Sequence, residues 1–96
     1  MRRKRIAPGS RLTVEFTAQE WSDLAEQTFV ELEAIAQVEV FGEQRRVRWT
    51  LDDIEDAQGH VAATANHTND TKLRRRLEKL FDRLQMFLDE YDDNVA

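Results

Sequence analysis

The apolar positions of this 96-residue chain change period along its length. In "RLTVEF", Leu12, Val14 and Phe16 alternate with polar residues, the period of a strand with one buried face, over about residues 11–16. The period then lengthens. Trp21, Leu24, Ala25, Thr28, Phe29, Leu32, Ile35 and Ala36 recur at helical spacing and predict a helix over about residues 18–36. Residues 37–49, "QVEVFGEQRRVRW", alternate again on both sides of Gly42. They fit a β-hairpin with strands near 38–41 and 45–49, and equally a ragged helix end followed by one strand. A second helix is expected over 51–65, with Ile54, Ala57, Val61 and Ala65 facing inward. The third, over 70–91, has the strongest periodicity: Leu73, Leu77, Leu80, Leu84, Phe87 and Tyr91 follow alternating spacings of four and three, and Phe81 and Leu88 widen the stripe.

Two helix starts carry the same local code. Thr17 precedes the first helix, with Glu20 three residues on to complete a capping box, and Phe16 and Trp21 placed as a hydrophobic staple. Thr50, Asp53, Trp49 and Ile54 repeat the arrangement, with aspartate a weaker box partner than glutamate. "VEFTAQEWSD" and "VRWTLDDIED" match position by position at an offset of 33 residues. Duplication would produce the match, and so would the shared physics of strand-then-helix units. Side by side, the two strands would let Glu15 pair with Arg48.

These elements predict an α-dominated α+β fold of short strands and three helices, the last two an antiparallel hairpin, with an all-α three-helix bundle as the alternative. The opening "MRRKRIAPGS" joins a charge run to a Pro-Gly turn and reads as a mobile basic tail over residues 1–10, ahead of a single domain over 11–96.

Composition narrows the picture. There are no cysteines, so disulfides and thiolate clusters are excluded, and a reducing compartment is permitted. No apolar run reaches the roughly 18–20 residues of a membrane span, and no apolar segment follows the basic start to make a leader, so a cytoplasmic location is expected. The net charge of −5 hides segregation: residues 1–11 carry +5, 12–43 carry −8, 71–88 carry +4 and the last eight carry −4. The acidic total argues against nonspecific nucleic-acid binding by the whole domain while leaving local basic patches available.

Chemistry is sparse. His60 and His67 lie seven residues apart, about 10.5 Å along one helix, too far to share a zinc ion. Asp56 and His60, at i and i+4, could share one, but no HExxH or repeated ExxH motif accompanies them. "ANHTND" reads better as structure: Asn66 as a left-handed cap after Ala65, His67 at the negative end of the second helix, and Thr68, Asn69 or Asp70 capping the third. Neither Ser10 nor Ser22 has the setting of a nucleophile, and the three glycines make no phosphate loop. An enzyme is not expected, and neither is a metal or other cofactor.

The leading expectation is a small intracellular protein–protein interaction module that self-associates. The third helix carries more apolar surface than the alanine-rich second can cover, and even with Trp21, Phe29 and Leu32 of the first laid against it the end carrying Phe87, Leu88 and Tyr91 outruns its cover. That marks Leu77, Leu80, Leu84, Phe87, Leu88 and Tyr91 as a homodimer interface, the rival being a monomer in which the first helix and the strands cover the whole stripe. The alternative is a nucleic-acid-associated regulator, with Arg2, Arg3, Lys4 and Arg5 on phosphate and the basic stripe of helix 70–91 beside them. A metal-dependent enzyme around Asp56 and His60 is the remote third reading.

Overall fold

Both helix starts close as their side chains dictate. The computed structural model describes residues 3–28 and 37–93. Strand β2 (Leu12–Thr17) runs into helix α1 (Ala18–Gln27) through Thr17, whose hydroxyl accepts the Glu20 amide at 3.1 Å while the Glu20 carboxylate accepts the Thr17 amide at 2.8 Å. Strand β4 (Gln44–Trp49) runs into helix α2 (Leu51–His67) through the matching box of Thr50 and Asp53, at 3.1 and 3.0 Å. Aspartate, one methylene shorter than glutamate, still reaches.

Between these units, β3 (Glu39–Phe41) and β4 form the hairpin, joined by Gly42 and Glu43. Gly42 has φ +59°, and no other described residue of the turn is left-handed, the φ signature of a type II′ turn with glycine first. The ragged-helix alternative for residues 37–49 and the all-α bundle are thereby set aside. The antiparallel sheet has the order β2-β4-β3. Its inner face presents Val14, Phe16, Val47 and Trp49, all buried. The rings of Phe16, Trp21 and Trp49 cluster at centroid separations of 5.5 to 6.3 Å.

Register corrects one expected pair. Val14 lies opposite Val47, so Glu15 faces Arg46, and Arg48 faces Thr13. The Arg46 guanidinium donates to Glu15 Oε1 at 2.8 and 3.2 Å. Strands whose inward residues must meet allow no freedom to slide, because a one-residue slip would turn the buried set outward. Under the offset of 33, Val14 corresponds to Val47, so the local twofold of this strand pair passes through equivalent residues.

The helices also end differently from expectation. Helix α1 stops at Gln27. Thr28 is buried in extended conformation, and its hydroxyl donates to the Leu24 carbonyl, closing the end without a glycine. Phe29, Leu32, Ile35 and Ala36, expected on the same helix, lie outside the described residues. Helix α2 runs past Ala65 to His67, and Asn66 is not left-handed. What closes α2 is Arg74, whose guanidinium donates to the Ala65 and Thr68 carbonyls at 3.1 and 2.6 Å. Helix α3 (Thr71–Glu90) starts on Asp70, whose carboxylate accepts the Lys72 and Leu73 amides.

Helices α2 and α3 pack as the expected antiparallel hairpin. Gln58 of α2, itself buried, donates to Gln85 at 2.7 Å, and Gln85 passes the chain on to Asp89 at 2.9 Å. Leu73, Leu77, Leu80 and Leu84 of α3 meet Ile54, Ala57, Val61 and Ala65 of α2 and the inner face of the sheet in one core. Helix α1 is tied to α3 by two ion pairs. Asp23, buried, accepts Arg76 at 2.8 and 3.2 Å, and Glu20 accepts Arg83, which also donates to the Glu15 carbonyl. The Asp23 hydrogen bonds and charge raise the Arg76 pKa further above its usual value, against a smaller desolvation.

Near the chain ends, β1 (Lys4–Arg5) pairs in parallel with β5 (Tyr91–Asp92). The Ile6 amide adds a bond to the Asp92 carbonyl at 2.9 Å, and the Ile6 side chain packs against the core.

Candidate interaction surface

Helix α3 was expected to hold an open apolar stripe, and the fold divides that stripe in two. Leu77, Leu80 and Leu84 are wholly inside the core. Cover that α2 lacks comes from α1 and the sheet together: Trp21 and Leu24 join Phe16, Val47 and Trp49 in the core that holds these leucines. Phe87, Leu88 and Tyr91 are half-buried and packed on the core's edge. The central half of the surface expected to pair two copies is therefore the protein's own interior, and the remainder is a rim.

The basic segment has acidic and aromatic neighbours. Lys4 Nζ lies 3.6 Å from Glu90 Oε1 and 5.9 Å from the centroid of the Tyr91 ring. Arg3 borders a depression with Asp52, Glu55, Tyr91, Asp92 and Asp93, and Arg5 is exposed. Arg2 lies outside the described residues. Of the basic residues on α3, Arg74, Arg76 and Arg83 are bonded within the fold, as described above.

His60 and Asp56 sit one turn apart on the solvent side of α2, with His60 Nε2 3.7 Å from Asp56 Oδ2, beyond hydrogen-bond length. They border a shallow depression with Asp52, Glu55 and Gly59. Among the described residues, no three histidine, cysteine or acidic side chains converge to hold a metal ion. His67 is exposed on the last residue of α2. Among the described residues no helix is long and apolar enough to cross a membrane.

Two surfaces were missed by reasoning on the stripe. One is the hairpin. Val40 and Phe41 are adjacent and point to opposite sides of β3, yet they are 61% and 51% exposed. Phe41 carries the Arg46 guanidinium over its ring at 4.8 Å. Among the described residues β3 has β4 on one side and no strand on the other. The signal was present in "VEVFG", where two consecutive apolar residues precede the turn and cannot both face one core. The other surface is the outward side of α3, where Met86 is 67% exposed among charged residues.

No family model, no curated protein and no solved structure matches this chain.

Proposed function

We propose that the chain is a small protein–protein interaction module, binding rather than catalysing, whose contact element is the β3–β4 hairpin. The observation that supports this is the exposed Val40–Phe41 pair on an edge strand. A strand edge offers free backbone amides and carbonyls to a second extended chain, and neighbouring side chains on alternate faces read that chain's sequence. Burying a valine and a phenylalanine side chain contributes about 1.5–3 kcal/mol each. That is enough for a transient contact once ordering costs are met. The setting on this reading is the cytoplasm, where a chain without cysteine depends on no disulfide.

Panning a library of extended peptides against the immobilised protein tests the reading. Enriched peptides should alternate apolar and polar residues, and their binding should be lost in the Val40→Thr, Phe41→Thr double variant. Peptides that bind the variant as well as the wild type, or no enrichment, would refute it.

A further inference from the structure

The side of α3 that faces away from the core carries, in order, Lys72, Arg75, Lys79, Asp82, Met86 and Asp89, spaced alternately by three and four residues along one stripe. All six are exposed. The charges are segregated, basic in the first half of the helix and acidic in the second. That order opposes the helix dipole: apart from the Asp70 cap, the first turn has no acidic residue, and the last turn has no basic one. Arg75 and Lys79 repel at i and i+4, as do Glu78 and Asp82. The fold uses one charge of the stripe, Asp89, which accepts Gln85 at 2.9 Å. Among the described residues the side chains of Lys72, Arg75, Lys79 and Asp82 have no ion-pair or hydrogen-bond partner, and Lys79 and Asp82 do not pair although three residues apart.

An arrangement that is unfavourable in the isolated helix becomes favourable against its own reverse. In an antiparallel pair of identical helices, facing residues have numbers of constant sum. At a sum of 161, Lys72 meets the partner's Asp89 and Lys79 meets the partner's Asp82. Arg75 then lies along the partner's Met86, where its aliphatic stem can cover the exposed thioether. Every pair on the stripe is complementary, and the twofold supplies each twice. Both adverse helix ends are also answered, since each lies beside the partner's opposite charge.

We infer that the outward face of α3 docks on the same face of a second copy of this chain, antiparallel, in the register that pairs Lys72 with the partner's Asp89 and Lys79 with the partner's Asp82. This deepens the reading of the chain as an interaction module by naming one partner, but it uses a different surface from the hairpin. The contact is polar and closes on itself, so two chains saturate it. Ion pairs on an exposed surface are individually weak and are screened by salt. The dimer is therefore a weak one that forms at low ionic strength.

Charge exchange tests the register. Variant one carries Lys72→Asp and Lys79→Asp, and variant two carries Asp82→Lys and Asp89→Lys. Sedimentation equilibrium is run at about 20 mM and about 500 mM salt, which brackets the range over which exposed pairs are screened. Protein is taken to about 1 mM, where weak complexes show. The wild type should dimerise at low salt and weaken at least about tenfold at high salt. Each variant alone should remain monomeric, because positions 72 and 79 then meet like charges at the partner's 89 and 82, and an equimolar mixture should restore a complex twice the monomer mass. Circular dichroism checks that both variants are folded, as expected for exposed sites of which only Asp89 bonds within the fold, to the partly exposed Gln85. A wild type that stays at 11.3 kDa, a variant that still dimerises alone, or a mixture that fails to associate would each overturn the inference. Peptide binding at the hairpin should be the same in all four samples, so failure here and failure of the hairpin reading are told apart.

Discussion

The two sides of α3 are built on the same twenty residues and answer to different demands. Leu73, Leu77, Leu80 and Leu84 face inward and are buried in a core shared with α1, α2 and the sheet. Their identity is explained by the chain's own stability. Lys72, Arg75, Lys79, Asp82, Met86 and Asp89 face outward, and their order costs the helix stability through its dipole and through like charges one turn apart. Among the described residues only Asp89 of these charged residues has a side-chain partner, Gln85, and that bond does not account for the order. The proposed pairing of two copies would account for it, and the two sides of one helix then answer to the fold and to a partner respectively.

The largest test of the contrast is on the inward side. Leu80→Ala should destabilise the protein by about 2–5 kcal/mol, because a wholly buried side chain is deleted and the surrounding core relaxes only in part. Denaturant unfolding measures it. A loss under about 1 kcal/mol would mean that Leu80 is not enclosed as described, and the division of the helix into two sides would fail.

Next come the two helix starts. Thr17→Ala and Thr50→Ala should each cost about 0.5–2 kcal/mol, since each removes the acceptor for an N3 amide. The Thr17 box closes with glutamate and the Thr50 box with aspartate, yet the donor–acceptor lengths match within 0.2 Å. Similar losses in the two variants would confirm that the boxes are energetically alike. A change at one site alone would show that tertiary contacts, and not the cap, hold the other.

These caps were legible in the sequence because a box is decided by four consecutive residues. So was the alternation of β2 and β4. What was not legible depended on distant parts. The register that sets Glu15 on Arg46 follows from two inward sets meeting, which no single strand declares. The end of α1 at Thr28 depends on a hydroxyl bonding back to Leu24, and the end of α2 on an arginine nine residues beyond Ala65. The pairing of Lys4 and Arg5 with Tyr91 and Asp92 joins the two extremes of the chain, and nothing in "RRKRI" marks a strand. The apolar stripe of α3 was read correctly as a stripe. How far that stripe is covered is not legible, because the cover comes from α1 and the sheet, which are distant in sequence. The charge order of the outward side was present in the sequence throughout, but it acquires meaning only once the fold shows which side is free.

A smaller effect is expected at Gly59, on the exposed side of α2. Its backbone is helical, and a Cβ placed there would meet nothing within 4 Å. Gly59→Ala should therefore stabilise the chain by about 0.5–1 kcal/mol, through the lower backbone entropy of the unfolded state. Thermal unfolding reads this directly. A destabilised variant would show that α2 is closely approached at this point, contrary to the open space seen there.

The smallest effect sharpens the contrast most, because one substitution should act in opposite directions on the single chain and on the pair. Lys72 is the second residue of α3, beside the positive end of the helix dipole, where a cation is unfavourable and an anion favourable. Its side chain has no partner among the described residues, so Lys72→Glu breaks nothing in the fold. In dilute protein at low salt, where chains are separate, the variant should be more stable than the wild type by about 0.3–1 kcal/mol, and the gain should fade as salt screens it. In concentrated protein the same change sets a carboxylate against the partner's Asp89 and should weaken dimerisation. A substitution that lowered both stability and association would mean Lys72 serves the fold, and the outward side would then need no partner to explain it. A gain in stability with a loss of association is what a lysine kept for a second chain must give.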